Sequence, residues 1–290
     1  MKGPVPSVRA DAVADMARLM AAYPAGFGNR RRAAGLLLLA AAVGLFTGFA
    51  MWRLDFSLAR ILSGLGRLAD FSLMMFPPSA GGRFWIYLQS LGETVAIAFL
   101  GTLSAALLAF PFSFLAAKNV IPNVFVHFGA RRVLDVIRGV DTLIWALLWV
   151  SVVGLGPFAG LLAIACSDFG ALGKLFSEAI ETADRRPVDG VASSGGSRMQ
   201  QVRFGVLPQV LPVIGGQCLY YFESNTRSAT IIGIVGAGGI GVHLAEQIRV
   251  LNLQDVSFLV LMILAAVTVI DVVSTRLRTA LVGRRAAPLG

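Results

Sequence analysis

Six stretches of this chain, residues 33–52, 88–116, 134–153, 158–176, 206–222 and 256–275, are mainly apolar. Each is close to the roughly 20 residues that a helix needs to cross a bilayer core. With no water in that core, backbone polar groups must pair within the protein, and a stretch of this kind satisfies them as a helix. The expected fold class is therefore all-α and polytopic, with about six transmembrane helices. A chain that is 56% hydrophobic and 14% charged, with a mean hydropathy of +0.75, is neither an ordinary soluble domain nor a disordered one.

Two hydrophobic regions fall outside the six. Residues 55–76 place Leu58, Ile61, Leu62, Leu65 and Leu68 on one helical face between Arg60 and Arg67, the pattern of an interfacial amphipathic helix within an outer segment 53–87. Residues 231–242 are too short and glycine-rich to span alone, and read as a broken or re-entrant continuation of the fifth span.

The formal charge of +9 sorts by side rather than forming a nucleic-acid surface. Of the 25 Lys and Arg residues, 18 fall before residue 33, at 118–132, at 174–203 or after 275. The positive-inside rule then puts both termini, the segments 1–32 and 282–290, in the cytoplasm. Arg30-Arg31-Arg32 resembles a signal-peptide start, but no small-residue cleavage site followed by a soluble domain appears. Cys166 and Cys218 fall in spans and read as small apolar residues, while His127 and His243 have no partner spacing, so no metal site is expected.

A polar loop, 177–205, lies between the fourth and fifth spans on the basic side. Pro187 suits a helix's first turn, Gly195-Gly196 would stop that helix, and Ser197-Arg198-Met199-Gln200 has capping-box form. The loop leaves through Gly205-Val206-Leu207-Pro208. A short helix across the cytoplasmic face, followed by a bend into the next span, is a docking element.

Gly236-Ala237-Gly238-Gly239-Ile240-Gly241 matches the dinucleotide fingerprint G-x-G-x-x-G, with Asp255 downstream. That site needs a βαβ unit whose second strand carries the acid, and here one amphipathic helix leads straight into a span. The glycines Gly236, Gly238, Gly239 and Gly241 read instead as a hinge or gate where backbones approach closely. Charges within spans are few and usually face a cavity or a partner. Glu223 and Arg227 are one turn apart beside Tyr220, Tyr221 and Asn225, and Asp135, Arg138 and Asp141 recur at steps of three. Glu93, Asp168 and Asp271 read as helix-end groups that reach the interface.

Several of these segments carry a resemblance. They are Glu93-Thr94 with Gly101-Thr102, Ala116-Ala117-Lys118-Asn119, the run from Val153-Gly154-Leu155-Gly156-Pro157 to Gly160, Gly205-Val206-Leu207-Pro208-Gln209, and above all Tyr221-Phe222-Glu223-Ser224-Asn225-Thr226-Arg227-Ser228-Ala229-Thr230. From about residue 55 to 281 the chain resembles the membrane permease subunit of bacterial phosphonate-type ABC importers. The resemblance implies a type I importer transmembrane core like that of methionine importers, in the bacterial inner membrane. It also implies a homodimer of this chain, two ATPase subunits that bind ATP and Mg, and a periplasmic binding protein. No G-x-x-x-x-G-K-[ST] occurs here, so the chain itself is expected to hold no cofactor and do no covalent chemistry.

In such importers the docking loop follows E-A-A, three residues, G, nine residues, I-x-L-P. Aligned on Leu207-Pro208, Gly195 takes the glycine position, Asp189-Gly190-Val191 stands where Glu-Ala-Ala would, and Gly205 stands where Ile would. The resemblance thus implies ATPase coupling through Pro187, Asp189, Gly195, Ser197, Arg198, Leu207 and Pro208. A substrate path is expected along Tyr221, Glu223, Asn225, Arg227 and Arg138, whose arginines favour an anion without distinguishing phosphonate from phosphate, phosphite or sulfate. Val140 stands where the family tends to carry Pro. The alternatives are a permease for another small anion or an amino acid, or a membrane-embedded enzyme. An enzyme would need nucleophile, acid–base or metal clusters that two isolated His and two isolated Cys do not supply.

Overall fold

The computed structural model describes residues 15, 16, 18, 30–121 and 123–282. The expectations for the 1–32 segment and the tail beyond 282 fall almost wholly outside them. The chain divides into two units, Met1–Asp70 and Phe71–Gly290. The first contains α1 (Arg30–Arg53), whose residues Ala34–Arg53 are long and apolar enough to span, and most of α2 (Leu58–Met74). α2 buries none of its residues, and its stripe Leu58, Ile61, Leu62, Leu65 and Leu68 is exposed.

The second unit is a helical bundle of α3 (Phe84–Ala116), α4 (Val124–Arg138), α5 (Thr142–Val153), α6 (Pro157–Glu181), α7 (Arg185–Ser193), α8 (Arg198–Gln200), α9 (Leu207–Ile234), α10 (Ile240–Arg249) and α11 (Leu253–Val282). α3 lies along α6 and also meets α9. Small residues permit the approach: a Cβ at Gly101 would lie 2.8 Å from Ile164 Cβ, and Ala98, Ala105 and Ala109 are fully buried. One core joins Ala105, Leu172, Phe176, Val206 and Val210; a second joins Ile97, Ala163, Ile164, Ala229 and Ile232.

The third expected span, 134–153, is not one helix. α4 and α5 meet at 83°. α4 ends at Gly139, whose N–H returns to Asp135 O, and Asp141 starts α5 by accepting the Leu143 N–H at 2.8 Å. An N-cap residue takes non-helical backbone angles, so the capping that starts α5 also breaks the axis. Counted as one bent span, the pair brings the total among the described residues to six. The fifth span also extends beyond residue 222, because α9 continues to Ile234 and only then breaks into a turn before α10.

The elements gather at two ends. At one, Lys118 N–H donates to Glu181 Oε1 at 2.8 Å, Asn119 Nδ2 to Ile180 O at 2.7 Å, and Arg131 pairs with Glu181 at 2.7 Å. At the other, Ser79 N–H reaches Gln254 O, Gly156 N–H reaches Gly236 O, and Asp255 accepts from Arg83 Nη2 at 2.6 Å and from the Tyr87 hydroxyl at 2.5 Å. Asp255 is thus the anchor of α11 to α3.

Candidate functional site

The polar loop folds into a bracket closed by local caps. Asp184 caps α7 by accepting the Arg186 N–H at 3.0 Å, and Pro187 lies in its first turn. Gly195 then adopts φ +80°, so that its own N–H bonds Ala192 O and the next, of Gly196, bonds Val191 O, each at 3.0 Å. This is the Schellman stop that glycine makes without a Cβ penalty. Ser197 and Gln200 form the capping box of α8, with Ser197 N–H donating to Gln200 Oε1 at 2.7 Å. From α8 the chain continues through a π-helical turn, Gln201–Val206, into α9, which Leu207 and Pro208 open.

Gly205 explains its own departure from the importer pattern. A Cβ there would lie 2.8 Å from Val188 Cα, so the glycine lets α7 rest directly on the π-turn. Gln209 completes the bracket, accepting the Asp184 N–H and donating to Asp184 O, each at 3.0 Å, and to Gly205 O at 2.6 Å. Within the bracket a cleft of about 400 Å³ is lined by Asn119, Val188, Asp189, Arg198, Gln201 and Val206. Asp189 and Arg198 are exposed.

The polar run on α9 divides by the 3.6-residue period into two faces. Asn225, with Tyr221 one turn before it, turns inward: its Nδ2 donates to Thr102 Oγ1 at 2.7 Å and to Asp168 Oδ2 at 2.5 Å. Asp168 is 4% exposed, and α6 continues past residue 176 to Glu181, so Asp168 is a buried mid-helix group and not one at a helix end. On the other face, Glu223 takes Arg227 at 3.4 Å and, from α11, Arg278 at 2.9 Å. Tyr220 lies on this face too, its ring centroid 5.9 Å from the Arg278 guanidinium. The five residues expected along a path therefore do not form one patch. Arg138 is exposed at the α4–α5 break. Nor do Asp135, Arg138 and Asp141 pair along a helix, since Asp135 pairs with Lys174 at 2.8 Å and Arg132 at 3.4 Å, and Asp141 is a cap.

The glycine run forms the tight turn between α9 and α10. Gly236, Gly238 and Gly239 have φ of +94°, +84° and +74°, and a Cβ on Gly238 would lie 2.7 Å from Pro157 Cα. Glu93 Oε1 accepts the Gly239 N–H at 2.9 Å, and Thr94 Oγ1 accepts the Ile240 N–H at 2.8 Å. Glu93 is therefore not merely a group reaching the interface: it and Thr94 satisfy orphan donors at the start of α10, where a carboxylate also complements the helix dipole. Gly241 packs against Gly233 and Thr230.

Sequence reasoning missed Arg278, Asp168 and Gln209 as members of these clusters. Arg278 has the look of a cytoplasmic anchor after the last span, and no spacing links it to Glu223, 55 residues away.

The fold is a bundle of helices apolar enough to cross a membrane, with a capped bracket at one end and paired charges among the helices. Residues 109–286 match the family described as binding-protein-dependent transport system inner membrane component, and the chain belongs to that family. It is 38% identical over 219 residues to the phosphite transport system permease protein PtxC of Stutzerimonas stutzeri, covering 75% of this chain and 79% of that one. It is 38% identical to the phosphate-import permease protein PhnE of Mycolicibacterium smegmatis, covering 72% of this chain and 39% of that one. Among solved structures, the MetNI methionine ABC transporter in an inward-facing conformation matches with a TM-score of 0.62 at 17% identity, over 70% of this chain and 99% of that one. That likeness shows the type I importer fold expected from the sequence.

Proposed function

We propose that the chain is the permease subunit of an ATP-driven importer for phosphonate or a related phosphorus oxyanion such as phosphite, and that two copies together form the translocation path. One observation carries the reading. Arg227 lies within the span Arg198–Ile234, and its side chain is 49% exposed. An arginine facing hydrocarbon costs about 2.5–3.5 kcal/mol or more, so such a group faces a partner or a water-filled path. A guanidinium there offers an anion charge-assisted hydrogen bonds. The names of the relatives favour phosphorus oxyanions over other anions. The bracket of α7 and α8 supports docking on two ATPase subunits that bind ATP and Mg, with a periplasmic binding protein delivering substrate at the opposite end. Closure of the ATPases would push on the bracket, and Gln209 and Glu181 would pass the movement to α9 and α6.

The test is uptake by the complete complex with its binding protein in proteoliposomes, using phosphite, methylphosphonate, phosphate and methionine in turn. ATP-dependent, saturable uptake of at least one phosphorus oxyanion is expected, and Arg227→Gln should reduce it while capture by the binding protein stays normal. Uptake of methionine alone would overturn the reading, and normal uptake by the Arg227→Gln complex would remove Arg227 from the path.

A further inference from the structure

Glu223 is shared unequally between two guanidiniums. Arg278 Nη2 donates to its Oε2 at 2.9 Å, whereas both Arg227 terminal nitrogens stand 3.4 Å from Oε1. A charge-assisted N–H···O bond is ordinarily about 2.7–2.9 Å long, so Arg278 is the engaged partner and Arg227 is held only loosely. Enclosure follows the same order: the side chains of Glu223, Arg278 and Arg227 are 10%, 29% and 49% exposed. The cluster has two cations to one anion, and its surplus positive charge rests on the most exposed member.

We propose that Arg278 is a positioning residue for anion transport: by occupying the Glu223 carboxylate it keeps the Arg227 guanidinium free to hold an anion. This rests on the reading that Arg227 faces the path. Without Arg278 the enclosed carboxylate is left with the Arg227 ion pair, the cluster becomes formally neutral, and Arg227 turns from the anion to Glu223. Removing the carboxylate as well restores the surplus charge and returns Arg227 to the path.

The experiment compares the maximal phosphite uptake rate of complete complexes at saturating loaded binding protein, with thermal stability and ATPase association measured on each. Arg278→Gln should lower the rate about tenfold, the loss of one charge-assisted hydrogen bond to the anion. Arg278→Lys should retain most of it. The decisive pair is Glu223→Gln/Arg278→Gln against Glu223→Gln/Arg227→Gln, which have the same net charge and both lack the carboxylate. Uptake should return only in the first, which keeps Arg227. Equal rates in the two double variants would overturn the proposal, even if Arg278→Gln alone failed to assemble. If Arg227→Gln slows uptake while Arg278→Gln transports normally, the proposal fails and the path assignment stands. If Arg227→Gln transports normally, the path assignment fails and this proposal with it.

Discussion

Asp168, Asn225 and Thr102 join three helices through one carboxamide. Asn225 spends its Nδ2 donors on α3 and α6 together, and the Thr102 hydroxyl, having accepted one, donates its own proton to Ala98 O at 2.8 Å. Replacing Asn225 with Leu would leave a buried carboxyl group without its donor, a loss of about 1–3 kcal/mol. Asn225→Leu should therefore lower the melting temperature of the detergent-solubilised complex by several degrees. Adding Asp168→Leu should cost less than the sum of the two single changes, because the groups are coupled. Strictly additive shifts would show that the contact does not stabilise the bundle. Asn225 was legible as a candidate because it interrupts an apolar span. Asp168 reads from the sequence as a helix-end group, and its buried place is not legible there, because helical period identifies a residue's face and not which distant helix meets it. The same limit hid Arg278 from Glu223.

At the scale of elements, local chemistry read better than hydropathy. The capping box, the glycine stop and the Pro-bearing first turn of the bracket all stand where their residues put them, because each depends on neighbours within six positions. The α4–α5 pair was obscured because averaging apolar content over 134–153 conceals a cap inside the window, although Gly139 followed by Asp141 is a helix stop and start. Removing that cap with Asp141→Ala should destabilise the bend by about 1 kcal/mol, while Asp141→Asn, which keeps the acceptor, should cost less; thermal melts of the purified complex measure both. Gly195 tests the bracket separately. Its surroundings leave room for a Cβ, so the strain of Gly195→Ala comes from φ +80° alone, on the order of 1–2 kcal/mol. The expected outcome is intact assembly with less substrate transported per ATP hydrolysed, and Gly195→Asn should be milder because Asn tolerates left-handed backbone. Unchanged coupling in Gly195→Ala would remove the bracket's shape from the mechanism.

For the whole molecule, the folded bundle supplies an argument about sidedness that hydropathy could only assume. The end of α3, the end of α6 and the start of α7 are tied together by Lys118, Asn119, Glu181 and Gln209. That end collects Lys118, Arg131, Arg185, Arg186, Arg198 and Arg203, whereas the end formed by Ser79, Arg83, Gly156, Gly236 and Gln254 has Arg83, itself paired with Asp255, and Arg249 nearby at the close of α10. The segments 118–132 and 174–203, which the positive-inside rule assigned to one side separately, are thus one physical surface, and a single orientation must serve both. The basic end is expected in the cytoplasm. In a background with Cys166 and Cys218 replaced by Ala, Ser193→Cys at the exposed end of α7 should react with a membrane-impermeant thiol reagent only after the cells are opened. Val250→Cys, exposed between α10 and α11, should react in intact spheroplasts. Labelling of Ser193→Cys from outside would invert the bundle and with it the side on which an ATPase could dock, whereas labelling of Val250→Cys alone puts α7 and α8 on the cytoplasmic side.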